Sequence, residues 1–225
     1  MSQTGLSGIR FWIVSAWWPE QRDFAEEMAG SSEIISVNEN ISVCGSLGFL
    51  RTGVGTPRAA AAVAHALALG KSHGSFVDAV VFLATAGAYS EQLPLGTAYL
   101  VSNVIWSDGD LLEKKSYLPR LKSGTEMISC DLAPFSGSEF KAISTPGISL
   151  DIELSKKLAQ HGDLENLELY GVALAAEAFG VPWGASLGVS NVVGPDAHAQ
   201  WRENHLIASK GAQAILYDQF LRKNL

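Results

Sequence analysis

The sequence contains little positive charge and few charged residues of either sign. Its 225 residues include 16 Lys and Arg against 23 Asp and Glu, which gives a net charge of −7. Because nucleic acids and anionic membranes are bound through clustered basic residues, this balance argues against both as partners. With 17% charged and 47% hydrophobic residues, the chain can build one sizeable core. We therefore expect a single folded domain over residues 1–225.

Long apolar runs, paired cysteines and leader-like features are also absent. No window reaches 18 consecutive apolar residues, so we expect no membrane-spanning helix. Cys44 and Cys130 lie far apart without CxxC spacing, which favours buried free thiols and a reducing compartment. The stretch MSQTGLSGIR lacks the basic and apolar regions of a signal peptide. These features together predict a cytoplasmic protein.

Three motif-like features fall short of the chemistry that they suggest. The five histidines show neither HExxH nor paired ligand spacing, so we expect no metal ion and no cofactor. GASLG (184–188) matches GxSxG, but Ser186 lies inside an apolar strand with no helix directly after it, which disfavours a serine hydrolase. TGVGTPR has Arg58 where GxGxxG needs its third glycine. This segment predicts a tight turn before a helix, with a role in a pocket left open.

Strand-like and helix-like segments alternate along the chain. Apolar runs predict strands over 9–16, 77–87, 97–105 and 181–190, with two or three short strands between 33 and 52. Periodic stretches with helix punctuation predict helices over 19–30, 150–162, 167–180 and 199–224, and another that begins with Thr56 as N-cap. Residues 107–140 are polar and irregular, which predicts a long loop. Alternation with long apolar strands indicates an α/β layered fold.

Two carboxylates stand close to predicted element ends. Glu20 follows the first strand and Glu168 begins a helix. Taken singly, each has an ordinary explanation, as a solvated helix residue or as a first-turn carboxylate favoured by the helix dipole. Together with the small-residue segment ATAGAY and with Ser190–Asn191 at another strand end, they indicate more. One carboxylate can accept ribose hydroxyls, another can act as a general base, and an amide can contact a heterocycle. This set suits hydrolysis of an N-glycosidic bond.

Four stretches of the chain resemble one known superfamily in order and spacing. RTGVGTPRAA, ATAGAY…LPLGTAYLVSNV, ENLELYGVALAAEAFGVP and GVSNVVGP are similar to segments of the purine nucleoside phosphorylase and nucleosidase superfamily. The resemblance implies a single-domain, three-layer α/β fold with a central mixed, partly barrel-like sheet flanked by helices. It also implies a purine nucleoside as small-molecule partner and a homodimer or larger homo-oligomer. SNVVGPDAHAQW is most similar to the futalosine hydrolase family, which serves an alternative route of menaquinone biosynthesis.

The resemblance also implies roles for individual residues. Glu20 would activate the attacking water, and Glu168 would bind the ribose above Leu167. The remaining contacts would come from Thr85, Ala86 and Gly87 beside the ribose and water, from Ser190 and Asn191 against the base, and from Ile148 in a base-capping loop. Further expectations are that Trp106 and Asp108 line the far side of the pocket and that Tyr170, where the family has a small residue, reshapes it. Trp201 is expected to pack its helix on the sheet.

The nucleophile and the base can be argued from the residues. Hexameric phosphorylases place an Arg before the small-residue segment to hold phosphate, whereas VVFLATAG contains no basic residue, so water is favoured. The Asn191 amide can donate to N7 or O6 of a 6-oxopurine, whereas adenine presents a donor at N6. One mismatched buried polar contact costs about 1–3 kcal/mol, which favours hypoxanthine over adenine.

The expected function is therefore hydrolysis of a 6-oxopurine nucleoside, with futalosine yielding hypoxanthine and dehypoxanthine futalosine. Arg51 and Arg58 keep a purine nucleoside phosphorylase open as a second hypothesis. Two more hypotheses stay open: a methylthioadenosine/adenosylhomocysteine nucleosidase, and a nucleoside-binding protein without catalysis.

Overall fold

The computed structural model describes residues 6–30, 32–107, 109–112, 115–116 and 127–225. The strands within these residues are β1 (Phe11–Ser15), β2 (Ile35–Ser36), β3 (Ile41–Cys44), β4 (Leu47–Arg51), β5 (Ala79–Ala88), β6 (Ala98–Val101), β7 (Asn103–Trp106), β8 (Met127–Ser129), β9 (Lys141–Ser144), β10 (Leu164–Glu165) and β11 (Trp183–Val192). The helices are α1 (Arg22–Ala29), α2 (Thr56–Ser72), α3 (Gly109–Leu112), α4 (Ile152–Leu158), α5 (Leu169–Phe179) and α6 (Ala197–Leu216). Single turns of 3₁₀-helix lie at Trp18–Glu20 and Phe135–Gly137, and α6 continues as a π-helical turn over Tyr217–Leu221 and a last turn over Arg222–Asn224.

Three parallel strands form the centre of the sheet. β5 pairs in parallel with β1 on one side and with β11 on the other. All ten residues of β5 are buried, as are nine of the ten in β11. Such continuous apolar strands are stable because helices cover both faces of a parallel sheet. The α/β fold class predicted from the sequence is confirmed.

The sheet closes on itself beyond this centre. The second half of β5 also pairs antiparallel with β10, which pairs in parallel with β9, and β9 pairs with β7. β6 pairs with β11 and is separated from β7 by Ser102 alone. If β6 and β7 are counted as one bent strand, the ring β5–β11–β6/β7–β9–β10–β5 is complete. The mixed, partly barrel-like sheet that the resemblance implied is therefore present.

Close backbone approaches bring α5 and α6 against their neighbours. A Cβ on Gly188 of β11 would lie 2.0 Å from the Ala208 carbonyl oxygen of α6. A Cβ on Gly171 of α5 would lie 2.2 Å from the Thr56 carbonyl oxygen of α2. Glycine at these two positions lets each helix pack directly on backbone. α6 carries residues of the site described below, and Glu168 at the N-cap of α5 is another.

Several predicted element boundaries were wrong. The segment ATAGA continues β5 instead of forming a turn, because its small residues pair with β11. The predicted strand over 97–105 is broken at Ser102, where the chain bends between two partners. The predicted helix over 150–162 shortens to α4, which Asp151 caps by accepting from the Leu154 N–H. Gly55, and not Thr56, is the N-cap of α2, since the Thr56 hydroxyl donates instead to the Leu167 carbonyl oxygen at 2.7 Å.

The expected long loop over 107–140 also contains regular structure. α3, β8 and the turn at Phe135–Gly137 lie within it, while residues 108, 113–114 and 117–126 are outside the described residues. Cys44 and Cys130 are buried free thiols, as predicted. Among the described helices, none combines the length and the apolar character needed to cross a membrane.

Candidate active site

A cavity of about 400 Å³ opens at the carboxyl ends of β1, β5 and β11. In α/β sheets this edge is where ligand sites are built, because the loops that follow adjacent strands meet there. All nine site residues expected from the sequence lie in its wall: Glu20, Thr85, Ala86, Gly87, Ile148, Leu167, Glu168, Ser190 and Asn191. Residues far apart in the chain are therefore brought together in one pocket.

Glu20 lies buried at the end of the turn that follows β1. Its Oε1 accepts hydrogen bonds from the Thr85 backbone N–H and from the Thr85 hydroxyl, both at 3.0 Å. Its Oε2 accepts a long bond, 3.3 Å, from the Trp17 backbone N–H. Oε1 is thus held by two donors of one residue, and Oε2 keeps lone-pair capacity toward the cavity.

Glu168 stands at the N-cap of α5 on another side of the cavity. Its Oε1 accepts from the Gly55 N–H at 2.8 Å. Gly55 has a φ of 98°, in the region that glycine adopts without strain, so the glycine turn before α2 aims this N–H at the carboxylate. The turn predicted from TGVGTPR is confirmed, and it has a role in the pocket.

Burial of the two carboxylates raises the pKa of both. Desolvation is the main cause for Glu20, and the hydrogen bonds from Thr85 and Trp17 oppose it. For Glu168, desolvation again dominates, the Gly55 N–H opposes it, and the charge of Glu20 raises the pKa further, to about 7. Because the two carboxylates share one cavity, ionisation of one makes ionisation of the other less favourable.

Ser190 and Asn191 lie at a β-bulge near the end of β11. The register against β5 shifts between Val189 and Asn191, which turns successive side chains toward the cavity. The Ser190 hydroxyl donates to Asn191 Oδ1 at 2.9 Å and also lies 3.2 Å from the Ala86 carbonyl oxygen. With Oδ1 engaged, the amide presents its Nδ2 donors, one of which bonds the Val192 carbonyl oxygen at 3.3 Å.

Gly87 gives the Asn191 amide its room. A Cβ at Gly87 would lie 2.8 Å from Asn191 Nδ2 and 2.8 Å from Val193 Cγ2. Both contacts are shorter than ordinary van der Waals distances. A residue with a side chain at this place in β5 would therefore push the amide out of position.

Two polar wall residues, Glu165 and Asn166, were not predicted. Asn166 Oδ1 accepts from the Glu168 and Leu169 N–H groups, and its Nδ2 donates to the Thr85 carbonyl oxygen at 3.1 Å. Asn166 thus ties the start of α5 to β5. Glu165 accepts from the Tyr89 hydroxyl at 3.1 Å and from the Ser149 N–H at 3.0 Å, beside the exposed Ile148. In the sequence, their role was indicated by their position directly before Leu167 and Glu168 in LENLE.

Trp201 joins its helix to the sheet, as expected, and it also lines the cavity, which was not expected. Its ring lines the cavity together with Trp17 and His198, and its Nε1 donates to the Thr85 hydroxyl at 3.3 Å. The ring of His205 stacks on it at 4.7 Å. His198 and Trp201 are three residues apart on α6 and so share one face of that helix, which is the signal that the sequence offered.

Other sequence expectations fall outside the cavity. Tyr170 is buried on α5 and is not among the wall residues. Trp106 is half-buried at the end of β7 and is not a wall residue either, and Asp108 lies outside the described residues. Ser186 is fully buried inside β11 and donates to the Ala212 carbonyl oxygen, as a structural strand residue does.

Neither of the arginines that kept a phosphorylase open lines the cavity in the described part of the chain. No Lys or Arg is among the wall residues. Arg51 instead donates to the Asn40 side chain and to the Glu39 carbonyl oxygen, and Arg58 is exposed. The described residues also contain no group of three or more His, Cys, Asp or Glu arranged to hold a metal ion.

The sequence and the fold of this chain are similar to those of known proteins. The model of the phosphorylase superfamily matches residues 45–221. The futalosine hydrolase of Streptomyces coelicolor is 28% identical over 172 residues, which are 71% of this chain and 73% of that protein. The fold is similar to that of Helicobacter pylori futalosine hydrolase, with a TM-score of 0.77, 15% identity, and coverage of 97% of this chain and 99% of that one.

A second solved structure has the same fold. It is a variant of Helicobacter pylori 5′-methylthioadenosine/S-adenosylhomocysteine nucleosidase with 5′-methylthioadenosine in its active site. The TM-score is 0.79 at 18% identity, and the likeness covers 97% of this chain and 100% of that one.

Proposed function

This chain belongs to the phosphorylase superfamily, and from that premise we propose that it hydrolyses the N-glycosidic bond of a 6-oxopurine nucleoside. The observation that carries the proposal is the meeting of two buried carboxylates and one oriented amide in a single cavity. Each group matches one requirement of the reaction: a base for water, an acceptor for the sugar hydroxyls, and a donor for the departing purine.

Glu20 is the general base in this proposal. Its Oε1 is fixed by two hydrogen bonds from Thr85, so Oε2 is the atom that accepts the proton of the attacking water. Burial raises its pKa, which makes it a stronger base toward the attacking water. The water oxygen bonds to the anomeric carbon as the bond from that carbon to the purine nitrogen breaks.

Glu168 binds the ribose. One of its oxygens is held by the Gly55 N–H, and the remaining lone pairs can accept two sugar hydroxyls. Positive charge develops on the sugar as the glycosidic bond breaks, and an ionised carboxylate in a dry cavity stabilises that charge. Leu167 packs beneath the sugar, with Thr85, Ala86 and Gly87 alongside it.

Ser190 and Asn191 bind the purine. Because the Ser190 hydroxyl engages Oδ1, the amide faces a ligand as a donor. A 6-oxopurine presents acceptors at N7 and O6, which an amide N–H can meet as negative charge grows on the base. The N6 group of adenine is a donor and leaves this contact mismatched.

Water is the nucleophile in this proposal. A phosphorylase must hold a phosphate dianion, and the described wall of the cavity has no Lys or Arg to hold it. Ionised carboxylates in the same wall would also repel phosphate. Hydrolysis therefore fits the charge of the site better than phosphorolysis.

Futalosine is the substrate that we favour. Support comes from the futalosine hydrolase of Streptomyces coelicolor, and futalosine carries hypoxanthine, the base that Asn191 suits. The products would be hypoxanthine and dehypoxanthine futalosine, within menaquinone biosynthesis. One cytoplasmic domain that acts as a homo-oligomer is part of the same proposal.

A panel of nucleosides tests the proposed function. Base release is measured by chromatography from futalosine, inosine, adenosine and 5′-methylthioadenosine, each with and without phosphate. The proposal predicts hypoxanthine release that is independent of phosphate and fastest from futalosine. Phosphate-dependent release would establish a phosphorylase, and faster release of adenine would establish an adenine-specific nucleosidase. Binding of hypoxanthine without release from any nucleoside would establish a non-catalytic binding protein.

A further inference from the structure

A chain of two hydrogen bonds links the aromatic part of the cavity wall to the general base. The indole N–H of Trp201 donates to the Thr85 hydroxyl at 3.3 Å, and that hydroxyl donates to Glu20 Oε1 at 3.0 Å. We propose that Trp201 is a positioning residue that fixes the direction of the Thr85 hydroxyl and thereby keeps Glu20 in its ionised, water-activating form.

The direction of the chain follows from the donors and acceptors present. An indole nitrogen can donate but cannot accept a hydrogen bond. The Thr85 hydroxyl must therefore act as the acceptor toward Trp201, and its single proton is left for Glu20. Without the indole N–H, the hydroxyl can rotate and donate to other acceptors, such as water in the cavity.

The consequence for Glu20 is electrostatic. A hydroxyl proton directed at a carboxylate stabilises the charged form and opposes the effect of burial. The Thr85 backbone N–H stays on the same oxygen whatever the hydroxyl does. The hydrogen bond from the Thr85 hydroxyl therefore stabilises ionised Glu20 in addition to the bond from the backbone N–H. A substitution can weaken the first bond without removing the second.

The surroundings of Trp201 allow this contribution to be isolated. The ring packs on His205 at 4.7 Å and on Trp17 at 5.9 Å, so a phenyl ring can retain much of the packing while losing the N–H. Other charged or titratable groups in the cavity wall or on the helices packed near Glu20 are Glu165, Glu168, His198, Arg202, Glu203, His205, Lys210, Arg22, Asp23, Glu26 and Glu27. Trp201→Phe replaces none of these groups.

The test is a ¹³C NMR titration of the glutamate side chains in the whole protein, with Glu20 assigned from the Glu20→Gln spectrum. We expect Thr85→Val to raise the Glu20 pKa by about 1–2, the equivalent of one charge-assisted hydrogen bond. Trp201→Phe should raise it by about 0.5–1, because the Thr85 hydroxyl remains and still donates to Glu20 part of the time. In the double variant, Trp201→Phe should add nothing to Thr85→Val.

The matched control is Trp17→Phe. It makes the same substitution in the same aromatic cluster, and the bond from Trp17 to Glu20 comes from the backbone and survives. The Glu20 pKa should not change in this variant. Thermal unfolding of every variant shows whether it is folded, and Thr85→Val tests the hydroxyl independently if Trp201→Phe is destabilised.

Two results would overturn the proposal. One is an unchanged Glu20 pKa in Trp201→Phe. The other is a pKa shift from Trp201→Phe that is equally large in the wild type and in the Thr85→Val background.

The kinetic part of the test rests on the proposed function. The acidic limb of the kcat/KM profile should move to higher pH in Trp201→Phe, with about a 3–10-fold loss below neutral pH. The titration needs no substrate, so it decides the role of Trp201 even if the wild type cleaves no nucleoside. That last result would instead defeat the proposed function.

Discussion

The two sides of the cavity are held in different ways. On the carboxylate side, Glu20 and Glu168 receive donors from Thr85 and Gly55, which lie 65 and 113 positions away in the chain. On the amide side, Ser190 engages its direct neighbour Asn191. The proposed bond-breaking groups therefore depend on donors from distant segments, whereas the proposed base-reading amide is oriented by its direct neighbour at the bulge and given room by Gly87 of β5. Substitutions should separate the two functions, with losses of rate on one side and changes of preference on the other.

The largest effect is expected on the carboxylate side from Glu20→Gln. The amide has nearly the same shape but cannot take a proton from water, so kcat should fall by about 10²–10⁴-fold. Base release is measured under saturating substrate. Binding of hypoxanthine, measured by calorimetry, is the control and should change little. Undiminished release from every purine nucleoside would remove Glu20 from the mechanism.

The next effect is expected on the amide side from Asn191→Asp. A carboxylic acid or carboxylate can accept from the N6 group of adenine, which the amide N–H cannot. The ratio of hypoxanthine to adenine release should shift toward adenine by about 10–100-fold, the equivalent of one buried polar mismatch. Asn191→Ala is the control, because it removes the donor without providing an acceptor. An unchanged ratio in Asn191→Asp would separate Asn191 from base selection.

A third prediction concerns stability and returns to the carboxylate side. The folded-state pKa of Glu168 is raised from 4.5 to about 7, so the folded protein binds this proton more tightly than the unfolded chain does. The associated stability is present below pH 4.5 and is lost as the pH rises toward 7. Glu168→Gln should therefore increase the free energy of unfolding at pH 8 by about 1–3 kcal/mol and change it little near pH 4.

Urea unfolding at the two pH values measures this difference. Glu177→Gln, on the solvent side of the same helix, is the control and should show no such pH dependence. A Glu168→Gln variant that is less stable than the wild type at pH 8 would contradict the raised pKa. Glu168→Gln should also bind the ribose part of the substrate poorly. Its stability at pH 8 would therefore increase while its activity falls.

The smallest effect is expected from Gly87→Ala, which crowds the amide from the facing strand. The new methyl group would lie 2.8 Å from Asn191 Nδ2, so the amide must move. We expect KM for a 6-oxopurine nucleoside to rise about 3–10-fold, with a smaller change in kcat. Gly137→Ala has open space around its Cβ and should leave both constants unchanged. Equal KM values in the two variants would show that Gly87 does not support the amide.

The identity of the residues that line the cavity was easier to predict from the sequence than the contacts among those residues. Glu20, Glu168 and Asn191 lie in the cavity wall, as expected, because each stands close to the end or the start of an element that the apolar pattern made recognisable. Glu165 was missed because its strand, β10, has two residues and no period of its own. Such a strand exists only because β5 and β9 are on either side of it.

The fold was predicted to a similar extent. The long buried strands β5 and β11 were evident, since continuous apolar runs of that length favour buried strands. The bend at Ser102 was not, because it depends on pairing with two different partners. The place of Trp201 in the cavity wall was missed for a related reason. The indole N–H reaches Thr85 only because Gly188 lets α6 approach β11 closely, and that approach is a tertiary fact.

In the proposed reaction water, and not phosphate, attacks the sugar of a 6-oxopurine nucleoside. Mass spectrometry of the sugar product, after turnover of futalosine with phosphate present, distinguishes the two nucleophiles. We expect free dehypoxanthine futalosine together with an equal amount of hypoxanthine, and no sugar 1-phosphate. A sugar 1-phosphate formed in step with hypoxanthine would show that phosphate is the nucleophile.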